Sequence, residues 1–310
     1  MRKILSIDGG GIRGIIPAII LAKIEKLTGK ATARIFDLVA GTSTGGILAL
    51  GLCKPDPLGQ PQYSAEDLVS LYEAHGQTIF DKPSWRRLFG QKYSASGIDK
   101  VLDQFFGETR LRSALSRVLV TSYEIERRTP FFFRSVNARR DRQYDFRMKD
   151  AARATSAAPT YFPPLKIECS GRSDYYALVD GGVYANNPAI CALVEARKLF
   201  HNDELLVVSL GTGALTRPLH FHQAKGWGLA RWAKPLLEIV FDGVSSTVDY
   251  QLRQLLPRRQ YYRFQPTLQP SLQEMDNTTP SNLRDLKLLA EETLRARAAD
   301  VADLCEMLLK

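Results

Sequence analysis

Residues 3–14 read Lys3-Ile4-Leu5-Ser6-Ile7-Asp8-Gly9-Gly10-Gly11-Ile12-Arg13-Gly14. The apolar run up to Ile7 predicts a short buried strand, and Asp8 with three glycines ends it in a loop at the strand's carboxyl end. Ile15 to Leu27 then has the length and apolar content of a helix, with Pro17 tolerated in the first turn and Gly29 placed as a C-cap. The same order recurs at once. Ile35 to Ala40 predicts a second strand, Gly41-Thr42-Ser43-Thr44-Gly45 a turn, and Gly46 to Cys53 a second apolar helix. Two strand-turn-helix units in succession predict a parallel sheet covered by helices.

Working outward, Ser64 with Asp67 predicts a capped helix to about His75, and Ser96 with Asp99 another to about Phe106. Phe80 to Gly97, a mixture of Pro, Trp, Arg, Ser and Gly, reads as irregular. Val118 to Tyr123 and Pro130 to Val136 read as strands, and Ala151 to Pro159 as a short alanine-rich helix. Leu178-Val179 leads into Asp180-Gly181-Gly182. Pro188 to Phe200 suits a helix, and Leu205 to Leu210 a strand ending at Gly211-Thr212-Gly213. Beyond it the pattern turns helical over Leu229 to Leu256 and Leu283 to Leu309, separated by a polar loop from Gln265 to Pro280. The expected division is an α/β catalytic domain over residues 4–213 and a mainly helical extension over 214–310, with lid, regulatory and oligomerisation roles open for the latter.

The 310 residues, 45% hydrophobic and 24% charged, exclude a disordered or fibrous chain. A net charge of +9 favours anionic partners such as lipid surfaces, nucleotides or nucleic acid. The four cysteines, Cys53, Cys169, Cys191 and Cys305, are scattered without a C-x-x-C pair, which predicts free thiols and no metal site. The apolar run before Asp8 is too short for a signal-peptide core, and the charge-free stretch Leu38 to Cys53 is too short and too polar for a bilayer span. A cytoplasmic protein is expected.

Gly9-Gly10-Gly11-Ile12-Arg13-Gly14 fits G-x-G-x-x-G, in which backbone amides approach a pyrophosphate. A nucleotide site also wants an acidic residue at the end of the second strand; Asp37 stands early in that strand, and its end is occupied by Ser43 between glycines. Amides at a helix N-terminus hold an oxyanion as well as a phosphate, so an oxyanion hole is the second reading, and a bare glycine turn the third. Gly41-x-Ser43-x-Gly45 between strand and helix is the arrangement that lifts a serine hydroxyl onto a sharp turn, with the Thr44 amide as a further donor; capping of the helix is the plainer alternative. None of the four histidines, His75, His201, His220 and His222, stands in a motif that would supply a base. Asp180, ending an apolar run before two glycines, falls on the same edge as Ser43 if the sheet is parallel. Burial would raise its carboxyl from the usual ~3.9 toward a useful base; an Asx turn is the alternative.

The segments Asp8 to Gly14, Gly41 to Gly45 and Asp180 to Gly182 together resemble the patatin-like phospholipase family, as do Ala154 to Pro163, Asn186-Asn187-Pro188 and Val208 to Gly213. The resemblance spans roughly two thirds of the chain. It implies a three-layer α/β/α sandwich with a mostly parallel central sheet, and a Ser-Asp dyad needing no cofactor or metal. Ser43 is then the nucleophile and Asp180 the base, and amides of Gly9, Gly10, Gly11, Ile12, Arg13, Gly14 and Thr44 form the oxyanion hole. Asp8, Gly41, Gly45, Gly181 and Gly182 support the motifs. The implied activity is hydrolysis of fatty-acyl esters in phospholipid or lysophospholipid at a membrane surface. Some bacterial members answer cyclic nucleotide signals in antiviral defence, so a cyclic nucleotide activator enters as an expectation.

Arg127 to Arg153 holds nine Lys/Arg against three acidic residues, interleaved with Phe131, Phe132, Phe133, Tyr144 and Phe146. It reads equally as a surface for anionic headgroups and as an ordinary paired face; no nucleic-acid reader motif accompanies it. The competing function is a nucleotide- or signal-binding protein with the glycine loop as phosphate cradle. Homo-oligomerisation is left open.

Overall fold

The computed structural model describes residues 1–81, 91–168 and 174–310. Among these, eight strands form one sheet: β1 (Arg2–Ile7), β2 (Leu38–Gly41), β3 (Arg117–Glu124), β4 (Thr129–Arg134), β5 (Leu165–Glu168), β6 (Tyr175–Asp180), β7 (Leu205–Leu210) and β8 (Tyr261–Phe264). The run β3-β2-β1-β7-β8 is parallel throughout. β4 and β6 both pair with β3 antiparallel, and β5 pairs antiparallel with β6. The sheet is therefore mixed, with its parallel part where the repeated strand-turn-helix units predict it.

The central strands are buried on both faces, as parallel sheets covered by helices must be. Side chains alternate between two cores. Leu5, Ile7, Val39, Val208 and Leu210 face one layer, packed with the helices Ile15–Thr28 and Thr44–Leu52. Ile4, Leu38, Ala40 and Val207 face the other, against the helix Ala189–Leu199 and the second half of Leu229–Leu255. This is the expected α/β/α arrangement. Among the described residues no helix is long and apolar enough to cross a membrane.

Several boundaries differ from the sequence reading for local reasons. The second strand begins only at Leu38, because Thr32–Ile35 coils into a helical turn. Asp37 thus sits at the sheet's amino edge, accepting the Lys3 amide and pairing with Arg2, far from the glycine loop; it has no place in a ribose site. The helix Ala95–Phe106 is capped by Ser94, whose hydroxyl accepts the Ser96 amide, in place of Ser96 itself. The helix Ala65–Ile79 has the capping box of Ser64 and Asp67 and runs a turn past His75. β4 stops at Arg134, where Ser135–Arg140 turns helical. The alanine-rich helix spans Met148–Thr155. The last helical pattern is two helices, Pro280–Ala296 and Ala298–Leu309. Residues 82–90 of the irregular segment, and Cys169, lie outside the described residues.

Tyr261–Phe264 has too few residues between helical patterns to register as a strand in sequence, yet it extends the sheet beside β7. Its Arg263 reaches across β7 to Asp8, with Nη2 2.6 Å from Oδ2 and Nη1 3.0 Å from Oδ1, both side chains nearly inaccessible. Burial works against the Arg263 charge, but the adjacent Asp8 carboxylate more than offsets this and raises the guanidinium's pKa. The pair fixes the start of the glycine loop to the C-terminal third of the chain. Removing one partner leaves a buried charge alone, so Arg263→Met is expected to cost about 3–5 kcal/mol in denaturant unfolding. Asp8→Asn combined with Arg263→Met is expected to recover much of that loss; an equal loss in the double variant would show that the charge pairing is not what holds the loop.

Candidate active site

The decisive geometry lies along one edge of β3. β4 occupies the other edge from Leu119 to Glu124. Hence β2, which pairs with residues 117–120, and β6, which pairs with 122–124, must share the remaining edge. They run in opposite directions and meet end to end: Gly41 stands opposite Val120 and Asp180 opposite Ser122. Asp180 and Ser43 therefore reach the same rim, though through an antiparallel strand and not the parallel one expected. Between them Thr121 closes the seam. Its hydroxyl donates to Thr42 Oγ1 at 2.7 Å, because the Thr42 proton is committed to the Ala185 carbonyl at 2.6 Å. A Cβ on Gly181 would lie 2.1 Å from Thr121 Oγ1, which is why a glycine follows Asp180.

Ser43 has φ 54 and ψ −125, a conformation rarely adopted by a residue with a side chain. The turn is held from all sides. The Ser43 amide donates to Thr155 Oγ1 at 2.8 Å, and its carbonyl accepts the amides of Gly46 and Ile47 as the helix begins. A Cβ on Gly41 would sit 2.1 Å from the Gly45 carbonyl oxygen, and one on Gly45 2.2 Å from that of Ile7. The glycines of G-x-S-x-G are thus required by backbone contact. Ser43 makes no side-chain capping bond, so the plainer reading of this serine as a helix cap does not apply.

In the glycine loop, the amides of Gly9, Ile12 and Arg13, expected among the anion-holding donors, are taken up by the carbonyls of Asn186, Met275 and Gly10. Among the described residues those of Gly10, Gly11 and Thr44 carry no hydrogen bond. Two are oriented through their own peptide planes. Thr212 Oγ1 donates to the Gly9 carbonyl at 2.6 Å, and Arg13 Nε to the Gly10 carbonyl at 3.2 Å. In a trans peptide the N–H points opposite to the C=O, so the Gly10 and Gly11 amides are aimed away from Thr212 and Arg13. Gly14 leaves room for Thr44 and Tyr72, whose oxygens lie 2.2 and 2.4 Å from where a Cβ would be. Arg13 is buried, and burial lowers its pKa to about 10.

Gly10, Gly11, Thr44, Ser43 and Asp180 line one cleft of about 650 Å³ including its mouth, whose other walls are mostly apolar: Ile47, Leu71, Tyr72, Phe80, Ile98, Phe162, Phe241 and Met275 contribute. None of the four histidines borders it. Asp180 is buried, and burial pushes its carboxyl up to about 7, opposed by interactions with the Ser43 hydroxyl and the Gly182 amide. Its two oxygens have different tasks. Oδ1 accepts the Gly182 amide at 2.7 Å, the Asx turn anticipated for Asp-Gly, while Oδ2 is buried with no fully formed hydrogen bond. The Ser43 hydroxyl is near enough to lower the carboxyl's pKa against that rise, without a closed hydrogen bond to Oδ2.

The basic stretch is largely occupied internally. Arg127 pairs with Asp174, Arg147 with Asp150, Lys149 with Asp103 and Glu108, and Arg153 with Asp99. Phe131, Phe133 and Phe146 pack against one another and Tyr176. Thr155, Thr212, Phe241, Met275 and Arg263 were not singled out as site residues in the sequence. A threonine or phenylalanine carries no chemical signature of its own, and the last three lie in the segment without recognisable motifs.

Residues 5–193 match the family Patatin, described as patatin-like phospholipase. The chain is 34% identical to Patatin-like protein 1 of Arabidopsis thaliana, covering 95% of this chain and 81% of that protein. It is 32% identical to Patatin group J-1 of Solanum tuberosum, covering 95% and 84%. Of solved structures it is similar to VipD from Legionella pneumophila, at 12% identity and a TM-score of 0.38 over 94% of this chain and 67% of that one, too loose a likeness to build on. With the family matched across most of the α/β core and 95% of this chain alignable to relatives at 32–34% identity, the chain belongs to the patatin-like phospholipases, enzymes that hydrolyse the acyl esters of lipids.

Proposed function

We propose that the protein cleaves fatty-acyl esters of membrane phospholipids or lysophospholipids through Ser43 and Asp180 by way of an acyl-enzyme. The observation that carries this reading is the buried, unpartnered Oδ2 of Asp180 in the same cleft as the strained Ser43. With its pKa near 7, Asp180 is ionised in a useful fraction of molecules at neutral pH and is basic enough to take a hydroxyl proton.

Oδ2 of Asp180 accepts the Ser43 proton as Oγ attacks the ester carbonyl carbon. The oxyanion that forms is held by the amides of Gly10, Gly11 and Thr44, each contributing about 3 kcal/mol in a water-poor site. The tetrahedral intermediate collapses by breaking the bond to the leaving alcohol, which takes the proton back from Asp180 and departs. A water molecule then gives its proton to Asp180 and attacks the acyl-serine; the fatty acid leaves and Ser43 recovers its proton. The apolar walls suit an acyl chain, and a carboxylate inside the cleft disfavours a phosphate there. These two features set the ester reading above the phosphate cradle.

Three outcomes are expected. Ser43→Ala loses labelling by a fluorophosphonate and loses fatty acid release from phospholipid vesicles by at least about 10³-fold, whereas Cys53→Ala, at a buried thiol whose burial raises its pKa to about 12, keeps both. Equal labelling of Ser43→Ala would remove the assignment. The pH profile of kcat/KM rises through about 7 with the slope of one ionisation, since only the carboxylate accepts the proton; a profile flat from pH 5 to 9 would contradict it.

The third concerns stability. A folded-state pKa above the unfolded one favours the native state at low pH, and this advantage is lost as pH rises from about 3.8 toward about 7. Asp180→Asn is therefore expected to abolish activity yet unfold at a higher temperature than the natural protein above pH 7, with an upper bound on the order of 4 kcal/mol. The gain should shrink toward pH 4. A variant equally stable to the natural protein at every pH would show that the carboxylate is not held at a cost.

A further inference from the structure

The helix Leu229–Leu255 has two different outward faces. Its inner face packs on the molecule through Phe241, Ser245, Val248 and Leu252. On the opposite side, at the i, i+3, i+7, i+10 spacing of one helical stripe, stand Leu229, Trp232, Leu236 and Ile239. Leu229 is 93% exposed, Leu236 54% and Ile239 45%, and Trp232 is half-buried. Past Gly243 the same face changes character to Ser246, Thr247 and Gln254, with Tyr250 among them. One helix thus keeps its solvent face polar in one half and apolar in the other. Just before it, Phe221 is 71% exposed, and the rings of Trp227 and Trp232 pack edge to face.

The charge of this segment has one sign. Residues 214–237 contain Arg217, Lys225, Arg231 and Lys234 and no acidic residue. Arg217 and Lys234 turn toward Glu238 and Glu274, while Lys225 and Arg231 are exposed and make no ion pair among the described residues. Exposed leucines, tryptophans at the margin and unpaired cations are the composition of a surface that lies in the headgroup layer of an anionic bilayer. Phe241, on the same helix, lines the Ser43 cleft, and at 1.5 Å per residue the stripe lies about 3–18 Å from it along the axis.

We propose that the apolar stripe of residues 229–239, with Phe221, Trp227, Lys225 and Arg231, is the surface by which the enzyme docks on anionic lipid bilayers, delivering lipid to the cleft beside Phe241. It rests on the lipid-hydrolase reading for its purpose but not for its test. The basic stretch 127–153 commits Arg127, Arg134, Arg147, Lys149 and Arg153 to ion pairs and packs Phe131, Phe133 and Phe146 on one another, so beside its further cations Arg128, Arg140 and Arg142 it presents no exposed apolar stripe of this kind.

The experiment is co-sedimentation of the full chain with vesicles of phosphatidylcholine and phosphatidylglycerol, alongside quenching by bromine-labelled lipid in a Trp85→Phe background that leaves Trp227 and Trp232 as reporters. Leu229→Asp with Leu236→Asp is expected to lower vesicle partitioning by at least about tenfold. Lys225→Glu with Arg231→Glu is expected to weaken it on anionic but not on neutral vesicles. Hydrolysis of a soluble short-chain ester should stay within about twofold in both, because neither pair touches the cleft. Ser43→Ala should bind vesicles like the natural protein, which separates docking from chemistry: absent ester hydrolysis with intact docking would remove the function proposed above and leave the docking surface standing. Undiminished partitioning of the Leu229/Leu236 variant, tryptophans that lipid bromine does not quench, or a dimer in solution that this variant dissolves while vesicles go unbound would overturn the proposal, the last assigning the stripe to a second copy of the chain.

Discussion

Two strands arriving from opposite directions on one edge of β3 is the constraint on which the site depends. A strand edge offers a single row of hydrogen-bonding groups, so β2 and β6 cannot overlap on it; each must stop where the other begins. Their carboxyl ends are thereby brought face to face, one continuing into the turn of Ser43 and the other ending in Asp180. Thr121, left unpaired in the ladder between them, ties the two ends together through Thr42 and allows only glycine at residue 181. The separation of Ser43 and Asp180 is set by backbone pairing, which is far stiffer than a side-chain contact on a loop.

That stiffness permits two local departures from low energy. Ser43 stays at positive φ because Thr155, the Gly41–Gly45 contact and the following helix leave no alternative. Asp180 stays buried with one oxygen unpartnered because its backbone is fixed by β3 and its other oxygen by Gly182. Folded proteins avoid an unpaired buried carboxyl unless something else holds it there. Here the holding elements are all backbone, and they keep the unpaired carboxyl in the cleft that Ser43 also lines.

Much of this was legible in the sequence. Asp8 to Gly14 and Gly41 to Gly45 carry their own explanation, because glycines in such numbers are needed only where chains come closer than a Cβ allows. Asp180, ending an apolar run before two glycines, reads as a residue on the same edge as Ser43, and it lines the same cleft. The route by which Asp180 reaches the rim was not legible, since Tyr175–Asp180 has the same apolar character whether it runs parallel or antiparallel, and strand direction is a property of pairing. Nor was the tie between Asp8 and Arg263, because four residues of β8 between helical patterns leave no periodicity to read. The amides of Gly9, Ile12 and Arg13 look equivalent to those of Gly10 and Gly11 in a G-x-G-x-x-G string. Only the carbonyls of Asn186, Met275 and Gly10 tell them apart. The segment after Gly213 lacks family motifs but supplies Arg263, Phe241 and Met275 to the site.

The most direct measurement is a crystal structure of the protein after reaction with a fluorophosphonate bearing an alkyl chain. The expected result is phosphorus bonded to Ser43 Oγ, its free oxygen within hydrogen-bond reach of the Gly10 and Gly11 amides, the chain among Ile47, Leu71 and Phe162, and Asp180 Oδ2 facing the leaving side. An adduct on another residue, or a phosphoryl oxygen turned away from the glycine loop with Asp180 out of reach, would contradict it.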